Sequence, residues 1–396
     1  MPPIAPRIAQ MNASGSDGWE LFLRAREMVA AGRPVIELTI GEHDVPTDPA
    51  ILDAMDAAAR GGHTGYAMVP GHDALRTAIA RRLAAQSGVP TGPENVLVTP
   101  GGQSALFAAH LLACAPGDAA LYLDPHYATY PGTIRAASAR AVRVPTDPAR
   151  GFLPDPEAVA RAARDHAARS LLINTPNNPT GRVYPEAVLE GLAEVARARD
   201  LWMISDEVYD TQVWQGAHLS PRALPGMEER TLVVGSMSKS FAMTGSRIGW
   251  IAGPARAISH LIDLATVTTY GVAGFIQKAA LAALEAGPAF ERGIAAPFAR
   301  RREIAREILE DAPGLRLLPP EGAMYLMLDV RPTGLSGEGF ASALLEEEEI
   351  AVMPGESFGE AARGHIRVAM TVPDAQFRAA LTRLARFAEA RAAAVA

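Results

Sequence analysis

From about Asn95 onward the chain repeats one pattern: a short, nearly uninterrupted apolar run, then an Ala-rich stretch with helical spacing. Seven runs stand out: Asn95–Thr99, Ala119–Leu123, Ala141–Val144, Ser170–Asn174, Leu201–Ser205, Thr231–Gly235 and Ile248–Ala252. A run that is apolar at almost every position suits a strand buried on both faces, because a sheet with one wet face alternates instead. Stretches such as Pro185–Arg199 between the runs read as covering helices. The alternation predicts an α/β fold with a mostly parallel seven-stranded sheet between helices.

After about Ala265 the order changes. Two helical stretches, Gly274–Glu285 and Ala289–Leu309, precede strands at Leu315–Leu318, Ala323–Val330, Ile350–Met353 and His365–Met370. A helix from Asp374 to about Ala390 closes the chain. This is the pattern of a smaller α+β domain. At the other end, Asp17 and Glu20 make a capping-box start for a helix running to Gly32. A strand at Val35–Thr39 then leads into the polar turn Gly41-Glu42-His43-Asp44. The expected division is residues 1–45 packing with the small domain, 46–290 as the large domain and 291–396 as the small one, a length with ample interior.

Composition narrows the function. With 48 % hydrophobic and 20 % charged residues, the chain reads as a soluble globular enzyme rather than a disordered segment. Its net charge of −7 and scattered arginines give no reason to expect nucleic-acid binding. The single cysteine, Cys114, sits in the apolar helix-like run Ala105–Ala115, which points to core packing and leaves no disulfide or cysteine-based metal site. No metal site is expected. The opening MPPIAPRIAQ does not resemble a signal peptide, and no apolar run reaches the roughly 18 residues of a membrane span, so a cytoplasmic location is expected.

The chemistry is concentrated in Thr231–Trp250, TLVVGSMSKSFAMTGSRIGW. Of the 37 basic residues in the chain only Lys239 and Lys278 are lysines. A chain that writes its cations as Arg has kept Lys239 directly after a buried strand, among Ser236, Ser238, Arg247 and Gly249. Arg has no amine for attack, whereas a desolvated Lys can lose its proton and act as a Schiff-base nucleophile. A solvated loop cation is the plain alternative.

A Schiff-base lysine suggests pyridoxal phosphate as its carbonyl partner, and that cofactor needs further groups. Asp206, just past the strand in LWMISDEVYD, can face a ring nitrogen, although an Asp there can also be a helix N-cap. Tyr209, or Asn178 within TPNNPTG, can donate to a phenolic oxygen; Asn, Pro and Gly also simply make turns. The Thr99–Ser104 segment TPGGQS, between a strand and an apolar helix, can offer amides to a phosphate, with Ser236 and Arg247 completing that pocket. Arg367 in GHIRVAM can clamp an amino-acid carboxylate, or be an exposed-face charge.

The stretch SMSKSFAMTGSRIGW, together with TPNNPTG, ISDEVY, YAMVPGHDALR and HIRVAM in this order, strongly resembles the class I/II aminotransferases of the aspartate aminotransferase superfamily. The likeness spans nearly the whole chain and implies a fold-type I pyridoxal-phosphate transferase. By it, Lys239 would hold the cofactor and shuttle the substrate Cα proton. Asp206 would pair with the ring nitrogen, and Asn178 and Tyr209 would meet the phenolic oxygen. Gly102, Gln103, Ser236 and Arg247 would hold the phosphate, while Tyr127 would stack on the ring. Arg367, helped by the backbone of Gly41, would take the α-carboxylate. Tyr66, with Tyr270 as a second candidate, would reach the neighbouring subunit's phosphate region, implying a homodimer with shared active sites.

The resemblance implies transfer of an amino group from an L-amino acid to a 2-oxo acid, pyruvate or 2-oxoglutarate, by a ping-pong mechanism. Aspartate, an aromatic amino acid and arginine stand as donor candidates. Where the aspartate-using subgroup tends to carry Lys after the Gly-Gly pair, this chain has Gln103, while DLWMISDEVY, SKSFAMTGSRIGW and MLDVRPTGLS look similar to bacterial arginine–pyruvate transaminases. His43 stands where the family often has Pro, placing it at the expected substrate entrance as a structural residue. Two rivals remain: a C–S β-lyase of the same fold, and a non-catalytic regulator, for which the residues before Gly41 are few and not basic. A nicotinamide oxidoreductase lacks support, since no G-x-G-x-x-G opens a helix.

Overall fold

The computed structural model describes residues 2–9, 11 and 19–395. Asp17 lies outside the described residues, and the first long helix runs from Trp19 to Ala30. The chain then forms β1 (Ile36–Glu37). All seven expected apolar runs become strands: β2 (Val96–Thr99), β3 (Ala119–Asp124), β4 (Arg140–Pro145), β5 (Ala168–Asn174), β6 (Trp202–Asp206), β7 (Thr231–Ser236) and β8 (Gly249–Ala252). They form one sheet in the order β2-β8-β7-β6-β5-β3-β4. Only β8 runs antiparallel to its neighbours, β7 and β2.

The uninterrupted apolar runs now have a physical reason. Leu171 and Met203 pack to one side of the sheet, with Leu189, Leu192, Ala193 and Ala196 from the Glu186–Ala198 helix. Their neighbours Leu172, Ile204 and Leu232 pack to the other side, with Ala105, Leu106 and Ala109 from the Gly102–Ala113 helix. Successive strand residues point to opposite faces, so both sets are apolar when both faces are covered. Each such buried Leu or Ile contributes about 1.5–3 kcal/mol. Cys114 is buried at the end of that helix, where its Sγ lies 3.5 Å from Ser170 Oγ.

The C-terminal third forms a second sheet from β9 (Arg316–Leu317), β10 (Tyr325–Asp329), β12 (Met353–Pro354) and β13 (His365–Ala369), in the order β12-β13-β10-β9 and antiparallel throughout. The run Ile350–Met353 is two short strands rather than one. Its first half, β11 (Ile350–Ala351), pairs in parallel with β1, and after Val352 the chain turns to join β13 as β12. Phe298, Phe340, Phe377, Leu344 and Leu381 fill the core behind this sheet. Leu38 is stitched between the two ends of the chain, donating to Ala351 O and accepting from Ala369 N.

The helix Pro288–Leu309 carries Arg301, whose guanidinium bonds both oxygens of Asp44 (2.9 and 2.7 Å), Asp374 Oδ1 (2.9 Å) and Met370 O (2.9 Å). These bonds fasten the turn after Gly41 to the chain just beyond β13. Among the described residues no helix is long and apolar enough to cross a membrane.

Candidate active site

In the large sheet, register places Asn174 beside Asp206 and Asp206 beside Val234, while Ser236 faces Gly249. The C-terminal ends of β5, β6 and β7 therefore present Asn174, Asp206 and Ser236 at one edge, where open α/β sheets bind ligands. A cavity of about 340 Å³ opens there, closed from the other side by Thr39–Glu42, Tyr325, Phe358 and Arg367.

Lys239 projects into this cavity from a single helical turn, Met237–Ser240. Ser236 caps that turn, its Oγ accepting from Ser238 N (3.1 Å) and donating to Ser238 Oγ (2.9 Å). The lysine Nζ donates to Gly41 O. Burial, reinforced by the charges of Arg367 and Arg247, lowers the amine's pKa from the ordinary lysine range. A Cβ on Gly41 would collide with the Tyr325 hydroxyl, so any larger residue there would have to displace that ring.

Asp206 is buried, with Oδ2 accepting from Tyr130 Oη (2.6 Å) and Oδ1 from Val208 N (3.3 Å). Burial pushes its pKa up to about 6 despite those bonds. Such a carboxylate is poised to receive a cation. Asn174 braces the loop beside it, donating to Asp206 O (2.9 Å) and accepting from Asn178 N (2.8 Å).

An anion would be held a few residues away. Gly101, at φ +80°, precedes the Gly102–Ala113 helix, and a side chain on it would run into the Arg247 guanidinium. Gly249 backs onto the same turn, where a Cβ would stand 3.0 Å from Gly102 N. A helix N-terminus, a serine hydroxyl and a guanidinium thus converge with no bulk between them, the arrangement that receives phosphate groups.

Opposite them, Arg367 is buried between the rings of Tyr325 and Phe358, 4.4 and 4.3 Å from their centroids. It donates to Asn178 Oδ1 (2.8 Å) and to Thr39 O, and its Nε has no partner among the described residues. Tyr325 Oη lies 2.9 Å from Tyr209 Oη, joining the two walls.

Gly41, Gly102, Gln103, Tyr127, Asn178, Asp206, Tyr209, Ser236, Lys239, Arg247 and Arg367 all line this one cavity. Tyr66 does not. It is 94 % exposed and packs edge-on against Tyr270, ring centroids 5.2 Å apart. Gln103 lines the wall with its side chain tied down, donating to Thr133 Oγ1 (2.6 Å) and accepting from Thr129 Oγ1 (3.0 Å). His43 is not among the lining residues, contrary to its expected place at an entrance. It packs against Phe298 with its pKa lowered to about 4 by burial and by Lys239. Sequence reasoning missed Tyr130, Asn174, Tyr325 and Phe358. Asn174 could have been found as the polar end of an apolar run, but the three aromatics look like core residues.

The geometry has counterparts. The model of the family described as aminotransferase class I and II matches residues 33–384. The arginine–pyruvate transaminase of Pseudomonas aeruginosa is 42 % identical over 94 % of each chain. The aspartate/prephenate aminotransferase of Thermus thermophilus is 38 % identical, covering 92 % of this chain and 93 % of its own. Among solved structures, the Thermus thermophilus aspartate aminotransferase with maleate superposes with a TM-score of 0.91 at 36 % identity, covering 98 % of this chain and 100 % of its own.

Proposed function

The chain belongs to the class I and II aminotransferases, and we propose that its pyridoxal-phosphate-dependent transamination runs in this cavity, with Lys239 as base and Arg367 as carboxylate anchor. One observation carries the assignment: a buried amine of lowered proton affinity and a buried guanidinium without a carboxylate among the described residues share one cavity. When bound, pyridoxal phosphate supplies a carbonyl that takes up the amino group and a protonated ring that draws electrons from the substrate Cα.

The residues suit that group. Asp206 holds the proton on a ring nitrogen, and the positive charge it meets there relieves its raised pKa. Tyr209 donates toward the phenolic oxygen. Asn178 does the same through its Nδ2, its Oδ1 already serving Arg367. The Gly102 and Gln103 amides, Ser236 and Arg247 hold the phosphate, and Tyr127 covers the ring face. Arg367 binds the α-carboxylate, assisted by the backbone at Gly41, which orients the Cα hydrogen toward Lys239. Lys239 would then take that proton as a neutral amine and deliver it to the cofactor's carbonyl carbon, C4′.

The same proposal includes a homodimer in which Tyr66 and Tyr270 serve the neighbouring subunit's phosphate region, which accounts for an exposed pair of aromatic rings. It also includes the division into residues 1–45, 46–290 and 291–396, and a cytoplasmic location that cell fractionation would test. For the donor we favour arginine, with pyruvate as acceptor. The 42 % identical relative supports this, as does Gln103, whose tethered amide offers no cation to a second carboxylate.

The test mixes cofactor-loaded enzyme with each amino acid and no acceptor. Arginine is expected to yield about one 2-oxo acid per subunit, and Lys239→Ala to abolish that yield without changing the circular dichroism spectrum. Aspartate or an aromatic donor reacting instead would replace the donor assignment. If no amino acid yields the 2-oxo acid of its own skeleton, while cysteine-type substrates steadily release ammonia and pyruvate, the assignment is overturned in favour of the lyase.

A further inference from the structure

The segment Asp206–Asp210 works on two sides. Asp206 and Tyr209 line the cavity, whereas Glu207 and Asp210 end in ion pairs behind it. Glu207 accepts from Ser220 Oγ (2.7 Å) and pairs with His218 Nε2 (3.0 Å). Asp210 pairs with Arg82 at 2.6 Å, both side chains about nine-tenths buried. The same guanidinium reaches both oxygens of Glu291 in the Pro288–Leu309 helix (3.2 and 3.1 Å), and Gln86 closes the ring by bonding Arg82 and Asp210.

Arg82 also lies 5.9 Å from the Trp250 ring centroid. Trp250 fills the space that a side chain on Gly235 would need, one residue before Ser236. One buried cation therefore backs both the Tyr209 loop and the end of β7. Desolvation offsets most of what such an ion pair adds to stability, so its main effect is geometric. Two carboxylates with fixed partners leave the loop between them a single orientation.

We infer that Arg82 is a positioning residue: through Asp210 it fixes the Tyr209 hydroxyl, and through Trp250 the end of β7 at Ser236, without touching substrate or cofactor. The inference rests on Tyr209 meeting the cofactor's phenolic oxygen, as proposed above. A supporting shell of this kind sets a reacting group's orientation as surely as the group's own identity does.

The experiment titrates the absorbance of bound cofactor against pH and measures cofactor dissociation in wild type, Tyr209→Phe, Asp210→Asn, Arg82→Lys and the double variant Tyr209→Phe/Asp210→Asn. Asp210→Asn leaves Arg82 paired with Glu291, and Arg82→Lys keeps the charge while losing the fork. Both are therefore expected to fold. The expected result is an upward shift of the absorbance midpoint in Tyr209→Phe, shifts of the same sign in Asp210→Asn and Arg82→Lys, and cofactor binding weaker by about tenfold in each. The double variant should go no further than Tyr209→Phe alone. If Asp210→Asn and Arg82→Lys lower only Tm, while midpoint and affinity match wild type and Tyr209→Phe still shifts, the positioning role is overturned. If Tyr209→Phe itself moves nothing, the assignment of Tyr209 is overturned instead.

Discussion

Two buried arginines in the C-terminal part of the chain live under opposite rules. Arg301 meets Asp44 and Asp374 and spends a further bond on Met370 O, so its charge is neutralised within the fold. Arg367 has an amide oxygen, a main-chain carbonyl and two aromatic faces, but no carboxylate among the described residues. Burial without a counter-charge is costly, and it lowers the Arg367 pKa from the usual arginine range. Arg301 serves the fold, while Arg367 keeps a charge met by no carboxylate of the described residues, which is what the proposed carboxylate anchor requires. Asp206 is the negative counterpart across the cavity.

The contrast breaks most decisively by substitution. Arg301→Met leaves Asp44 without its partner and Asp374 with Arg300 alone, and should cost about 3 kcal/mol of stability, read as a fall in Tm and in denaturant midpoint. Arg367→Met should leave apoprotein Tm unchanged or raised, yet cut kcat/KM by about 10²–10³-fold, because the substrate carboxylate loses its fork. Equal Tm losses in the two variants would erase the distinction.

Asp206→Asn sharpens it through pH. The carboxyl has a folded pKa of about 6 against the ordinary aspartate value of 3.8, so the cofactor-free fold binds the proton more tightly than the unfolded chain. Its stabilising contribution is fully present below pH 3.8 and is lost as pH rises through about 6. Apoprotein Asp206→Asn should therefore match wild type near pH 4 and exceed it at pH 8 by up to about 3 kcal/mol, measured by urea denaturation at both. A gap that closes at high pH instead would show the carboxylate already compensated. The smallest effect concerns the ring sandwich: Phe358→Leu should weaken substrate binding by about 0.5–2 kcal/mol, seen in KM with kcat nearly unchanged.

The two walls of the cavity were unequally legible in the sequence. Lys239, Ser236, Asp206 and Asn178 follow apolar runs directly, so local pattern places each at a strand end. Their wall is made of the chain segments that leave three neighbouring strands, β5, β6 and β7. The Arg367 wall is assembled from Thr39, Tyr325, Phe358 and Arg367, drawn from separate segments of β1's flank and the second sheet. An aromatic residue in an apolar strand gives no sign of whether it will pack in a core or cover a guanidinium. The two-strand split of Ile350–Met353 was hidden for a similar reason: only β1, more than 300 residues earlier, pulls β11 out of line. His43 could be read as structural, but not its partner Phe298, which the linear sequence places far away.

The antiparallel strand β8 has a consequence for how the molecule is made. Strand β2 stands at the sheet edge and pairs only with β8, whose first residue lies about 150 residues later in the chain. At the pace of synthesis, about 5–20 residues per second, β2 waits on the order of 8–30 s for its partner. Until then Gly249 is absent from behind Gly101 and Arg247 from beside it, so the glycine turn lacks its neighbouring cation. On the proposed reading of this turn, the anion site of the nascent chain therefore stays incomplete until β8 has emerged and paired with β2.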